Sequence, residues 1–222
     1  TLALLLGLAP LAAHAQYPNK PVRLVVPFGP GSATDTFLRI VAEPLGAALG
    51  QSVVVDNKPG AMTVLAVEHV AKSAPDGHTF LLADVGALAI TASVYSKLPF
   101  DPSKDLRGVT MLAYSPHLLV VHPSVPASNL AELVALSHKQ PLNFAVTAIG
   151  SAPHVAGVAI ERATGAKWTY IPYKGGSQAI GDTVAGQTQV LMNGMLATLP
   201  FVQSGKLKVI GVSKAQRVPL LA

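Results

Sequence analysis

A chain of 222 residues, 50% apolar and only 12% charged, has enough apolar matter for a buried core and too little charge to stay disordered. Its net charge of +5 is scattered, with no Lys/Arg run and no basic stripe interleaved with aromatics, so no nucleic-acid partner is expected. The absence of cysteine removes disulfides, thiol catalysis and thiolate metal sites.

Residues 1–15 form an apolar run ending in Ala13-His14-Ala15. The run reads as the remnant of a secretory signal, with a small-x-small cleavage site and a length too short to span a bilayer. The expectation is export, with Gln16 as the new N-terminus. The alternative is an apolar first helix.

Val22 to Val26 reads as a strand that passes through Pro27 into a Gly/Pro-rich turn, and then into a helix over 34–49 opened by Thr34 or Asp35. A helix that starts just after such a turn leaves its first amides unpaired and partly positive, which suits an anion. A dinucleotide fingerprint needs a third glycine where Thr34 stands, and a Walker loop needs a Gly-Lys-Ser/Thr ending; neither is present. A small carboxylate therefore suits the loop better than a nucleotide phosphate, although Gly29, Pro30 and Gly31 also serve as an ordinary sharp turn. Asp35 is expected to cap the helix and point away from a bound carboxylate.

In the helix, Phe37, Val41, Leu45 and Ala48 share a face, and Pro44 predicts a bend. A strand over 52–56, a turn at 57–60, a helix to about Lys72, a turn at 74–77 and a fully buried strand over 79–83 follow. The polar, Pro-rich stretch 98–107 marks a boundary between two units. Beyond it come strands at 109–113 and 117–122, a helix at 128–138, a strand at 143–147, a helix after Pro153 and a strand at 169–171. A helix from about Ser177 and strands at 188–192 and 207–212 complete the pattern. Strands alternating with helices argue for an α/β fold with parallel sheets and ligands at the carboxyl ends of the strands. No internal repeat is evident.

The chain holds no G-x-S-x-G elbow and no H-E-x-x-H, and His117 and His122 fall on opposite faces of a strand. Ser151 and His154 remain as a nucleophile and base for a hydrolase-like enzyme. The loops at strand ends support a binding reading instead. They offer Phe28, Gly31, Ser32, Ala33, Thr34 and Asp35 after the first strand, and Asp84, Gly86 and Ala87 after the strand at 79–83. Later loops add Thr147, Gly150, Ser151 and His154, then Tyr173, Gly175 and Gly176. Such a set binds an anion without a buried cation, each charge-assisted hydrogen bond contributing about 1.5–3 kcal/mol. No catalytic residue, metal site or cofactor is expected.

The run from Tyr17 to Asp35, YPNKPVRLVVPFGPGSATD, resembles the opening of the Bug-type solute receptors of tripartite tricarboxylate transporters. Further blocks at family spacing are APDGHTFLL (74–82), LPFDPSKDL (98–106), SAPHVAG (151–157), YIPYKGG (170–176) and GKLKVIGVS (205–213). The resemblance implies a two-lobed type II periplasmic-binding-protein fold with the ligand in the cleft between lobes. The first lobe would cover 17–107, the second 108–213, and 214–222 would begin a return to a first lobe whose C-terminal part is missing. It further implies a monomeric, non-catalytic periplasmic receptor. Such a receptor closes on a small carboxylate-bearing solute, with hinges near 98–107 and in the last strand, and hands it to membrane permease subunits. A sensor or degenerate copy is the alternative within the family. Ser32 and Ala33, Met62, Thr63 and Val64, and Ala148 and Ile149 stand where the family tends to have glycines or asparagine. These departures imply a narrower or more apolar pocket, or relaxed selection.

Overall fold

The computed structural model describes residues 17–95 and 97–221, with the side chains of 62 and 85–87 left aside. The expected signal remnant, 1–15, and its cleavage point lie outside the described residues. The first lobe contains β1 (Val22–Val26), α1 (Ala33–Leu49), β2 (Val53–Asn57), a 3-10 turn (Ala61–Thr63), α2 (Val64–Ala71), β3 (Thr79–Leu81) and α3 (Val85–Val94). Its three strands are all parallel, in the order β2-β1-β3. Val22, Leu24 and Val26 present alternate side chains to Leu38 of α1, while Val25 is buried on the opposite face. Burying each such side chain stabilises the lobe by about 1.5–3 kcal/mol.

The second lobe contains β4 (His117–Val121), α4 (Leu130–Ser137), β5 (Asn143–Val146), α5 (Ala152–Thr164), β6 (Thr169–Pro172), α6 (Gly176–Val184), β7 (Val190–Gly194), α7 (Met195–Gln203) and β8 (Lys208–Val212). The strand order is β6-β5-β7-β4-β8. Both faces are apolar, so the strands read as continuous runs. Leu119, Val121, Phe144, Val146 and Met192 pack on one side with Leu133, Ala156 and Ile160, and Leu118, Val120, Ala145 and Leu191 on the other with Ala179, Ile180 and Phe201.

Three expectations need correction. The second sheet is mixed, because β4 runs antiparallel to β7 and β8. It enters at the edge where β7 ends, pairing His117 with Gly194, and so must run against it. The expected strand at 109–113 does not form: among the described residues no strand accepts its backbone bonds, and Val109 and Met111 are exposed. The strand at 79–83 is only three residues long and half-buried. The helices α3 and α7 were not legible, since α3 is apolar on all sides and α7 contains Pro200.

The lobes touch at the turn between β1 and α1. The Ser177 hydroxyl at the start of α6 donates to the Pro30 carbonyl at 2.8 Å. Gly194, the last residue of β7, lies so close to α1 that a Cβ added there would stand 2.7 Å from that of Ala33.

Candidate ligand-binding cleft

A cleft of about 820 Å³ lies between the lobes. The carboxyl ends of the strands open into it, through Phe28 after β1, Leu82 and Asp84 after β3, Thr147 after β5, Tyr173 after β6, and Asn193 in β7. Its walls are largely apolar, with Phe28, Phe37, Leu82, Met111, Ile149 and Leu196 among the lining side chains. The charged side chains lining it are Asp84 and Lys174, one of each sign. A depression of about 710 Å³ beside α1 and β2 receives no loop from a strand's carboxyl end and no helix N-terminus.

Two turns face the cleft, one from each lobe, and they are built alike. Gly31-Ser32-Ala33 leads into α1 and Gly150-Ser151-Ala152 leads into α5, the alanine being the first helical residue of each. The glycines adopt φ +76 and +84, which glycine reaches without a Cβ penalty. The serines cap their helices with φ/ψ of −66/160 and −67/162, accepting the amides of Asp35 at 3.2 Å and His154 at 3.4 Å. The cap of α1 is thus Ser32, not Thr34 or Asp35. The same three-residue unit thus occurs once in each lobe.

The third helical side chain in each turn folds back. Asp35 Oδ2 accepts the Gly31 amide at 2.9 Å, and His154 Nδ1 accepts the Gly150 amide at 3.0 Å. Asp35 is buried, and it also accepts from Arg39 Nε at 3.0 Å and Asn57 Nδ2 at 2.9 Å. Burial pushes its carboxyl up, but the hydrogen bonds from Arg39, Gly31 and Asn57, with the Arg39 charge, hold it below its ordinary value. Asp35 is therefore a brace inside the turn rather than a cap. The Gly31 amide, expected to meet the ligand, is already taken.

The first amides of α1, on Ala33 and Thr34, and that of Ala152 in α5 have no partner among the described residues. All three residues border the cleft. Pro153 has no N–H, so α5 offers one free amide where α1 offers two. Ser32 also borders the cleft, with its hydroxyl proton uncommitted among the described residues, whereas the Ser151 hydroxyl donates to the Ala148 carbonyl at 2.8 Å.

Of the residues read from the sequence, Phe28, Ser32, Ala33, Thr34, Asp84, Thr147, Gly150, Ser151, Tyr173 and Gly176 line the cleft. Gly31, Asp35, His154 and Gly175 do not: the first three form or brace the turns, and Gly175 precedes α6 next to the backbone of Gly29. Gly86 and Ala87 fall in the first turn of α3, outside the residues whose side chains are described. Gly176 is close-packed, since a Cβ there would meet Asn193 Oδ1 at 2.7 Å. Sequence reasoning missed Phe37, His117 and Asn193 as wall residues, while Thr63 entered only as a departure from the family pattern. Asn193 alone carried a signal, a buried polar residue near the carboxyl end of a strand.

The hydrolase pair does not assemble. Ser151 Oγ touches the backbone of His154, not its ring, and Nδ1 is occupied as an acceptor, so the serine proton has no base among the described residues. The imidazole instead packs edge-on to Tyr170, with ring centroids 4.6 Å apart. Among the described residues, no group of three or more His, Asp or Glu is placed to hold a metal ion, and no helix is long and apolar enough to cross a membrane.

A family model described as "Tripartite tricarboxylate transporter family receptor" matches residues 37–221. Protein BugT of Bordetella pertussis is 36% identical over 212 residues, 94% of this chain and 65% of that protein. The chain thus spans just under two thirds of that relative's length. Among solved structures, R. palustris Rpa4515 with adipate is similar at TM-score 0.87 and 33% identity, covering 90% of this chain and 68% of that one. MatC from Rhodopseudomonas palustris with bound malate is similar at TM-score 0.84 and 30% identity, covering 91% and 70%.

Proposed function

Because the chain belongs to the tripartite tricarboxylate transporter receptor family, we propose that it is a periplasmic, non-catalytic receptor that captures a small carboxylate-bearing solute for the membrane permease subunits of such a transporter. The observation that carries this reading is the pair of helix N-termini whose free amides border one nearly neutral, apolar cleft. Two related structures, one with adipate and one with bound malate, support the same ligand chemistry.

A carboxylate seated between the turns would accept from the Ala33 and Thr34 amides through one oxygen and from the Ala152 amide through the other, with the Ser32 hydroxyl as a further donor. Each such bond contributes about 1.5–3 kcal/mol, and each helix dipole adds about 0.3–1 kcal/mol. These amide and hydroxyl donors are neutral, so desolvating them costs less than desolvating a buried cation. The apolar walls cover the solute's carbon frame. Entry requires the lobes to part, with hinges in the connection over 98–107 and in β8, and the receptor acts as a monomer.

The test is a thermal-unfolding screen with mono-, di- and tricarboxylates. A true ligand at one hundred times its Kd adds about 2.7 kcal/mol to stability. If no carboxylate shifts the unfolding midpoint, the reading fails.

A further inference from the structure

The two turns that face the cleft are closed alike but by different chemistry. In the first lobe the Gly31 amide donates to the carboxylate of Asp35, which its partners keep ionised near neutral pH; in the second the Gly150 amide donates to His154 Nδ1 at 3.0 Å. Nδ1 accepts only while it carries no proton, so the second turn is built for the neutral ring with its hydrogen on Nε2. A proton on Nδ1 sets two N–H donors against each other across that same 3.0 Å, and one of them has to leave. The turn then loses its closure, and the Ala152 amide beside the cleft loses its aim.

His154 is half-buried, so protons reach it from solvent. Burial lowers its pKa, and the charge of Glu161, further along α5, opposes that. From β6, Tyr170 meets the ring edge-on, and burial raises the pKa of its hydroxyl, so it stays uncharged. The strands β5 and β7 and the helix α3, which also pack on α5, carry no titratable residue. His154 does not line the cleft, so its ring stands behind the turn rather than against a bound solute.

We propose that His154 is a positioning residue that makes solute capture sensitive to protons: its neutral ring holds the second turn in the shape that aims the Ala152 amide into the cleft, and protonation releases that turn while the first stays closed. This rests on the receptor reading above and deepens it. The direction of the effect separates a brace from a contact. An imidazolium touching the solute would strengthen carboxylate binding at acid pH, as protonation of His117 in the cleft wall would, whereas a brace that lets go weakens it.

The experiment is isothermal titration with acetate, succinate, adipate and citrate at pH 7.5 and 5.5 and one salt concentration, on the wild type, His154→Asn and His154→Ala. Asparagine offers a non-titrating acceptor of the same length as Asp35, which spans the same four residues in the first turn. Comparing proteins at equal pH cancels the ionisation of the probe and of His117. For at least one probe, the loss of affinity from pH 7.5 to 5.5 should be about threefold or more greater in the wild type than in His154→Asn. His154→Ala, with no acceptor, should bind more weakly than His154→Asn at pH 7.5. If the variants do not fold, NMR of the wild type carries the test: the Gly150 amide and the His154 ring should titrate with one midpoint, while the Gly31 amide holds still over the same range. An equal loss in the wild type and His154→Asn, an alanine variant that binds as tightly as the asparagine one, or a Gly150 amide that ignores the ring overturns the role of His154 and leaves the receptor reading standing. A wild type that binds none of the four probes at pH 7.5 overturns both.

Discussion

Gly31 donates its amide hydrogen to the carboxylate of Asp35, four residues further along, at 2.9 Å. This bond closes the turn that aims the start of α1 at the cleft, and it draws Asp35 inward to Arg39 and Asn57. Asn57 in turn donates to the Phe28 carbonyl at 3.0 Å, so one buried carboxylate organises the end of β1, the end of β2 and the start of α1.

Replacing Asp35 with alanine should therefore destabilise the protein by about 1–3 kcal/mol, because the part-buried bonds from Gly31 and Asn57 lose their acceptor. The Arg39 ion pair adds little, since that guanidinium is half-exposed. Urea unfolding should show a lower midpoint at unchanged slope. A loss under about 1 kcal/mol would mean that the turn holds without its brace.

Acidification should weaken the fold through histidine before it touches Asp35. Burial lowers the pKa of His117, opposed by the charge of Asp84, and burial lowers that of His154, opposed by Glu161. A depressed histidine binds fewer protons folded than unfolded. Its contribution is complete above the ordinary value of 6.5 and is lost as pH falls from there toward the folded value. Asp35, also depressed, keeps its contribution above the ordinary carboxylate value and loses it only at more acid pH. The denaturation midpoint should fall between about pH 7.5 and pH 5.5. His154→Asn, which keeps an acceptor for the Gly150 amide, should flatten part of that slope and leave the share due to His117. An unchanged slope in this variant would place the titration elsewhere.

Gly31 holds φ +76, and a Cβ there would stand 3.0 Å from the Ser177 hydroxyl that bonds Pro30. Gly31→Val should break this contact between the lobes and distort the turn, costing at least about 1–2 kcal/mol in backbone strain and abolishing carboxylate binding. Titration of the folded variant decides the point. Unchanged affinity would reduce the loop to a simple connection.

Gly157 lies in α5 beneath two rings. A Cβ would approach the Tyr170 ring and hydroxyl at 2.9 Å and Phe144 at 3.0 Å. Tyr170 is tied by Trp168 at 2.7 Å and Glu161 at 2.8 Å, so it cannot yield freely. Gly157→Ala should therefore destabilise by about 1–3 kcal/mol despite the better helix propensity of alanine. A thermal melt showing stabilisation would count against this packing.

What could be read along the chain was what neighbours in sequence decide. The apolar runs at β1, β4, β5 and β7, the glycine turn before α1 and the alternation of strand and helix follow from periodicity and turn chemistry acting over a few residues. They placed the cleft-facing loops, and the resemblance to a receptor family was legible in the same blocks. Tertiary structure decided where groups distant in sequence meet. Asn57 lies twenty-two residues from Asp35 and reaches it only because β2 pairs with β1, which turns an expected cap into a buried brace. The direction of β4 depends on β7, more than sixty residues later. The segment over 109–113 has strand chemistry but no strand beside it among the described residues, and β-propensity has no effect without a ladder to join. The left-handed backbone at Thr63 is likewise set by the turn that carries it into the cleft wall, against the preference of its own side chain.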